Sequence, residues 1–341
     1  MKFRYCAFPA ALATAALALV GCSQGADSTA KSTSSASSGE VSVVASFYPL
    51  AYLAEQIGGD HVSITNLTPS GEAHDAELSA SQVDDVANAD VVIYEKEFQP
   101  SVDEAIEQAK PARVVDVADH VDLVPIEQHE SGVDEADGDA DEHDEADHDH
   151  ADHDHGDHDH AGHHHHGSKD PHFWLDPHLY ADAIDPIVES LSQADKAHAA
   201  DYKANGEKLR ESLTKLDDKY AKTLTNCQTP TIVVAHEAYG YMADQYHFTQ
   251  VGVSGINPEQ ETSAKRLEAV AKVAQDNHVS VLFSESALNA KDSQTLAKQL
   301  GITTKVLDPL ETQTDSSKDY IAVMESNLAS LSEAMQCQPA K

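Results

Sequence analysis

The sequence predicts an α/β fold: two (βα)4-type lobes with mostly parallel sheets, joined by one long rigid helix. Three observations carry this. Short β-branched runs alternate with amphipathic segments from Val41 onward, and the same alternation restarts near residue 229. Between the two series, residues 195–226 have no strand signal and no proline.

The first series opens with VSVVASF (41–47), a strand, then a helical PLAYLAEQIG, then the strand HVSITNL (61–67). SASQVDDVANA (79–89) reads as a helix before the strand DVVIYE (90–95), and QPSVDEAIEQA (99–109) as a helix before ARVVDV (112–117). In the linking segment Leu209, Leu213, Leu216, Tyr220 and Leu224 recur at three- and four-residue steps, giving one apolar face. A helix there would span roughly 45 Å, and Gly206 would weaken its middle by about 1 kcal/mol. The second series runs TPTIVVAH (229–236), SAKRLEAVAKVAQDN (263–277), SVLFSE (280–285), AKDSQTLAKQL (290–300) and TTKVLDP (303–309). KDYIAVMESNLASLSEAM (318–335) closes it as a helix.

Charge narrows the function. The 341 residues carry 22 Lys+Arg against 59 Asp+Glu, a formal net charge of −37. No groove on such a chain could neutralise phosphates, so nucleic acid is not an expected partner. No apolar run reaches the roughly 20 residues of a spanning helix. The charge is concentrated: residues 129–166 hold 15 Asp+Glu and 12 of the 21 His, without Lys or Arg. With almost no hydrophobic content, residues 127–168 read as a disordered insertion in the first lobe. Its alternating carboxylates and imidazoles suit weak, exchangeable capture of additional transition ions, not one tight site.

The amino terminus reads as an export signal over 1–21: Lys2 and Arg4, then a short Ala/Leu-rich stretch. It ends Leu19-Val20-Gly21-Cys22, which resembles the lipobox of bacterial lipoproteins and implies a lipid anchor on Cys22. Residues 22–39 are then a flexible tether to an extracytoplasmic membrane face, 40–194 the first lobe, 195–226 the linking helix and 227–341 the second lobe. Of the four cysteines Cys6 leaves with the signal, so Cys227 and Cys337 remain to pair as a disulfide.

Three histidines stand out from the tract. His74 lies in TPSGEAHDAE after the strand 61–67, His172 in DPHFWLDPH, and His236 at the end of the strand in TIVVAHEAYGYMA. Asp308 and Glu311, in VLDPLET, follow another strand. The carboxyl edge of a parallel sheet is where open α/β folds bind ligands.

These segments, with FSES and in this order, resemble the zinc-specific solute-binding lipoproteins of ABC importers, the ZnuA/AdcA type, over residues 40–337. The resemblance implies one tight Zn2+ between two lobes, held by His74, His172, His236 and Glu311, with Asp308 as the alternative fourth ligand. Glu72 is placed to hold the His74 imidazole in one tautomer, Glu285 to orient neighbours, and Trp174 to anchor its loop. It also implies a monomer that delivers zinc to an ABC permease driven by a cytoplasmic ATPase, and no enzymatic activity. Three neutral imidazoles and one carboxylate suit tetrahedral zinc, and binding should weaken below roughly pH 6.5 as imidazoles protonate. Manganese or mixed-metal transport is the alternative, against which His236 stands where manganese relatives carry Glu. A zinc hydrolase is less favoured, since no HExxH or nucleophile motif is present.

Overall fold

The computed structural model describes residues 39–133, 167–258, 262–286 and 291–338. The export signal, Cys22 and most of the tether lie outside these residues, as do positions 134–166 of the His/Asp tract. Among the described residues no helix is long and apolar enough to cross a membrane.

The first sheet is built from β1 (Val41–Ala45), β2 (Val62–Asn66), β3 (Val91–Tyr94) and β4 (Val114–Asp116), all parallel in the order β2-β1-β3-β4. The second uses β5 (Thr231–Val234), β6 (Thr249–Gly252), β7 (Val281–Ser284) and β8 (Thr303–Val306), parallel in the matching order β6-β5-β7-β8. Parallel neighbours need crossovers, and helices supply them. α1 (Tyr48–Gly58), α2 (Ala80–Asn88) and α3 (Pro100–Ala109) serve the first sheet, and α7 (Gly240–Tyr246), α8 (Ala264–Asp276) and α9 (Lys291–Leu300) the second. Local chemistry sets their starts: Ser79 and Gln82 form a capping box on α2, and Ser263 caps α8 by accepting from Arg266 N.

The linking helix is α6 (Ala199–Thr223), seven residues shorter than the span 195–226. It is bolted to both series. Asn205 donates to Ile57 O at 3.1 Å in α1, while Tyr220 donates to Met324 O at 2.7 Å in α10 (Tyr320–Ala334). Gly206 is no weak point. A Cβ there would come within 2.8 Å of Val188 and 3.1 Å of Ile184, so the bare backbone lets α5 (Ile184–Ala194) approach closely. One apolar cluster runs from Val43 and Leu53 through Trp174 and Tyr220 to Val234 and Leu331, so both sheets share a core.

Cys227 and Cys337 are joined across 110 residues, tying the end of α6 to the end of α10. A loop of that length is worth about 4–5 kcal/mol in the chain-entropy account. Both ends of the span 127–168 are part of the fold. Ile126–Gln128 form a 3-10 turn, His129 is buried, and Ser131 N donates to Glu237 at 3.3 Å, packing this stem against the second series. The far stem meets it: Ile126 N donates to Ser168 O, and Pro125 bridges Lys169.

Candidate metal centre

Three of the four side chains are delivered by loops that follow parallel strands, and His172 by the loop that leaves the far stem of the insertion. His74 lies between β2 and α2 on a loop held from the start of α3, where Gln99 Nε2 donates to Ala73 O and to Thr68 Oγ1, both at 2.9 Å. His172 precedes the 3-10 turn Phe173–Leu175. His236 comes two residues after β5, in a loop shaped by the buried Glu237, which accepts from Gly252 N at 3.0 Å and pairs with Arg266 at 2.9 Å. Glu311 follows β8 through a turn in which Leu310 adopts φ 62°, a left-handed conformation a leucine rarely takes. That turn is clamped: Asp308 accepts from Leu310 N at 2.8 Å and Thr314 Oγ1 at 2.9 Å, and Trp174 Nε1 donates to Pro309 O at 2.8 Å.

The four side chains converge and are buried, with relative exposures of 3% for His74, 0% for His172, 1% for His236 and 7% for Glu311. His172 Nε2 lies 3.2 Å from His74 Nε2 and 3.4 Å from His236 Nε2. Glu311 Oε1 lies 3.6 Å from the Nε2 of His74 and of His172, and 3.3 Å from that of His236. A tetrahedron with metal–ligand bonds of about 2.0–2.1 Å has edges of roughly 3.3–3.4 Å. Five donor–donor distances thus fall on or near the edges of one such polyhedron. Among the described residues this is the one group of three or more donors close enough to share an ion.

Carboxylates behind the rings fix their orientation. Asp170 Oδ1 accepts from His172 Nδ1 at 2.7 Å and Glu285 Oε1 from His236 Nδ1 at 2.6 Å, which turns each Nε2 lone pair inward. Asp170 Oδ2 in turn accepts from His129 Nδ1 at 2.5 Å. Burial opposes charge throughout, and the outcome depends on the partner. For His74 burial wins and its pKa is lowered. For His172 burial is outweighed by Asp170, and its pKa is raised. For His236 burial is outweighed by Glu285 and Glu311, which hold it up at about 10. Burial would lift Glu311, but the three imidazoles keep it well below the usual carboxylate range. Asp170 likewise is brought down to about 2 by His172 and His129 against its burial.

The structure therefore brings together His74, His172, His236 and Glu311. Asp308, the alternative to Glu311, is not in the group, because both its oxygens are taken up by the turn that presents Glu311. Glu72 is exposed, while Asp170 and Glu285 bond the Nδ1 atoms of His172 and His236. Asp170 and His129 escaped the sequence reading. The Asp-Pro-His spacing was a usable signal for the first, but nothing set His129 apart from the tract beside it.

The family model for the periplasmic zinc-uptake complex component A matches residues 43–334. The zinc-binding lipoprotein AdcA of Streptococcus pneumoniae is 30% identical over 304 residues, covering 86% of this chain and 56% of that protein. The chain thus spans just over half the length of that relative. The high-affinity zinc uptake system protein ZnuA of Bacillus subtilis is 29% identical over 318 residues, covering 91% and 92%. Among solved structures, the Zn(II)-bound ZnuA-like domain of Streptococcus pneumoniae AdcA superposes with a TM-score of 0.66 at 26% identity, covering 87% of this chain and 99% of that one. The laminin-binding protein Lmb of Streptococcus agalactiae gives 0.71 at 23%, covering 86% and 99%, which shows a shared fold.

Proposed function

The chain belongs to the zinc-uptake complex component A family, and from that premise we propose that it captures one Zn2+ outside the cytoplasm and delivers it for import. The ligands are His74, His172, His236 and Glu311. The supporting observation is the set of five donor–donor distances between 3.2 and 3.6 Å, which one tetrahedral ion would satisfy together. Three nitrogens and one carboxylate oxygen favour a borderline-soft d¹⁰ ion over manganese, which takes more oxygen donors.

The remaining steps extend this. Cys22 carries the lipid anchor, and the His/Asp tract gathers further ions weakly. A cognate ABC permease with its ATPase receives the zinc, and the protein catalyses no reaction. Because α6 is fastened to both series, release proceeds through small tilts and loop movements rather than a wide opening. Metal analysis of the purified protein tests the core of this: one tightly held zinc, lost in His236→Ala and held more weakly in His74→Ala, and manganese failing to displace zinc when Trp174 fluorescence is followed. Trp174 is a suitable reporter because its ring lies 5.2 Å from that of His172. Equal displacement by manganese would sink the assignment.

A further inference from the structure

Two cavities reach the ligands from the surface. One, of about 550 Å³, is walled by His236 and Glu285 with groups such as Ser254, Thr262 and Leu296. The other, of about 300 Å³, has His74 in its wall and runs out past Glu95, Asp116 and Asp119 to the far stem of the insertion at Gly167. Glu97, Lys96 and Lys169 also line it, and all three are exposed.

Glu95 is the unexplained member. It directly follows β3, at the same carboxyl edge that carries the ligands, and is 2% exposed. Its Oε2 meets no hydrogen-bond partner among the described residues. Burial, reinforced by Asp170, Asp116 and Asp103, pushes its carboxyl well above the usual range. An acid in that state costs stability. A buried carboxyl with one unpaired oxygen, on the wall of a cavity that also reaches a metal ligand, is suited to a cation in transit.

We propose that the Glu95 cavity is the admission route to the centre, with Glu95 a transient station that takes a partly hydrated divalent transition cation and passes it to His74. This rests on the zinc-capture reading above. As the dication arrives Glu95 releases its proton to water and coordinates through Oε2, so the ion replaces the charge that burial suppresses. The ion does not stay there, because among the described residues only the four-ligand group brings three or more donors together. The wider cavity is a poorer route, since Glu285 Oε1 is already bonded to His236 Nδ1 at 2.6 Å.

Stopped-flow mixing of the full-length protein with buffered Zn2+, followed on Trp174, gives the association rate, and mixing the loaded protein with a chelator gives release. A station on the path lowers the barrier in both directions. Glu95→Gln should therefore slow association and release together, each about tenfold, with Kd within about twofold of wild type. Asp119→Asn should slow association less, and the effect should fade with salt. Removing a buried acid should leave Tm unchanged or higher, which separates this from damage to the fold. Gln299→Phe, which narrows the wider cavity, should leave both rates unchanged. The proposal is overturned if association in Glu95→Gln stays within twofold of wild type, if Kd weakens through faster release, or if Gln299→Phe gives the tenfold slowing instead. Wild-type protein that takes up no zinc would overturn the underlying reading itself, an outcome distinct from these.

Discussion

His172 and His236 differ from His74 in what stands behind the ring. The first two are backed by carboxylates, at 2.7 Å from Asp170 and 2.6 Å from Glu285. His74 instead meets the Phe98 ring in an edge contact, centroids 4.8 Å apart. The charges follow. The backed pair is raised in pKa despite burial, whereas His74 is lowered by it. The centre thus combines two fixed imidazoles whose carboxylate partners favour the charged ring with a third in which burial favours the neutral one. Retention is assigned to the first two and access to His74, which also lines the Glu95 cavity.

The largest test of that division is to remove rings one at a time. His172→Ala or His236→Ala should weaken zinc by about a thousandfold in competition calorimetry, a ligand's share of a structural zinc's binding energy. His74→Ala should cost less by about tenfold, and equal losses at all three positions would break the comparison. Next come the backing carboxylates. Asp170→Asn and Glu285→Gln should each weaken zinc about 10–100-fold while one tight ion per chain remains.

The pH dependence sharpens it further. With His236 held at about 10 and His172 raised, zinc must expel protons at neutral pH, so affinity falls as pH falls, about tenfold per unit for each proton expelled. The loss starts well above the pH 6.5 expected from ordinary imidazoles, because Glu285 and Glu311 stabilise the charged ring. Calorimetry at pH 7.5 in buffers of different ionisation enthalpy should find between about one and two protons released. Glu285→Gln should remove about one of them, and a His74 substitution none. The smallest effect is expected for Trp174→Phe, which deletes the bond to Pro309 O that steadies the Glu311 turn. A loss of about threefold, seen as faster release, is expected for one neutral hydrogen bond.

The ligands were legible because each sits in a short motif, three of them beyond a strand and His172 in Asp-Pro-His after the insertion, and the strands were legible from β-branched runs. What escaped did so for physical reasons. β6 reads Thr-Gln-Val-Gly, and its polar Gln250 is buried only because it accepts from Tyr239 N at 2.8 Å and donates to the carbonyls of His129 and Glu237 at 3.3 Å. No periodicity announces a side chain whose partners come from distant chain segments. His129 was absorbed into the acidic tract by composition. Gly240 is what admits it, since a Cβ there would lie 2.2 Å from the His129 ring. Gly206 carries only a local cost in the helix pattern, because the close approach of Val188 that it permits is tertiary. Glu95 looked like the end of a strand and nothing more.

The paired stems at Pro125–Lys169 and Ile126–Ser168 have a practical consequence. Where two chain ends already touch, the intervening length carries only a slowly growing closure cost, about 0.6 kcal/mol per doubling. The tract can therefore lengthen, shorten or drift in composition over evolutionary time without disturbing the scaffold beneath. The same junction offers engineers a socket where a fluorescent protein could be spliced in, to make an optical indicator of metal in the cell envelope.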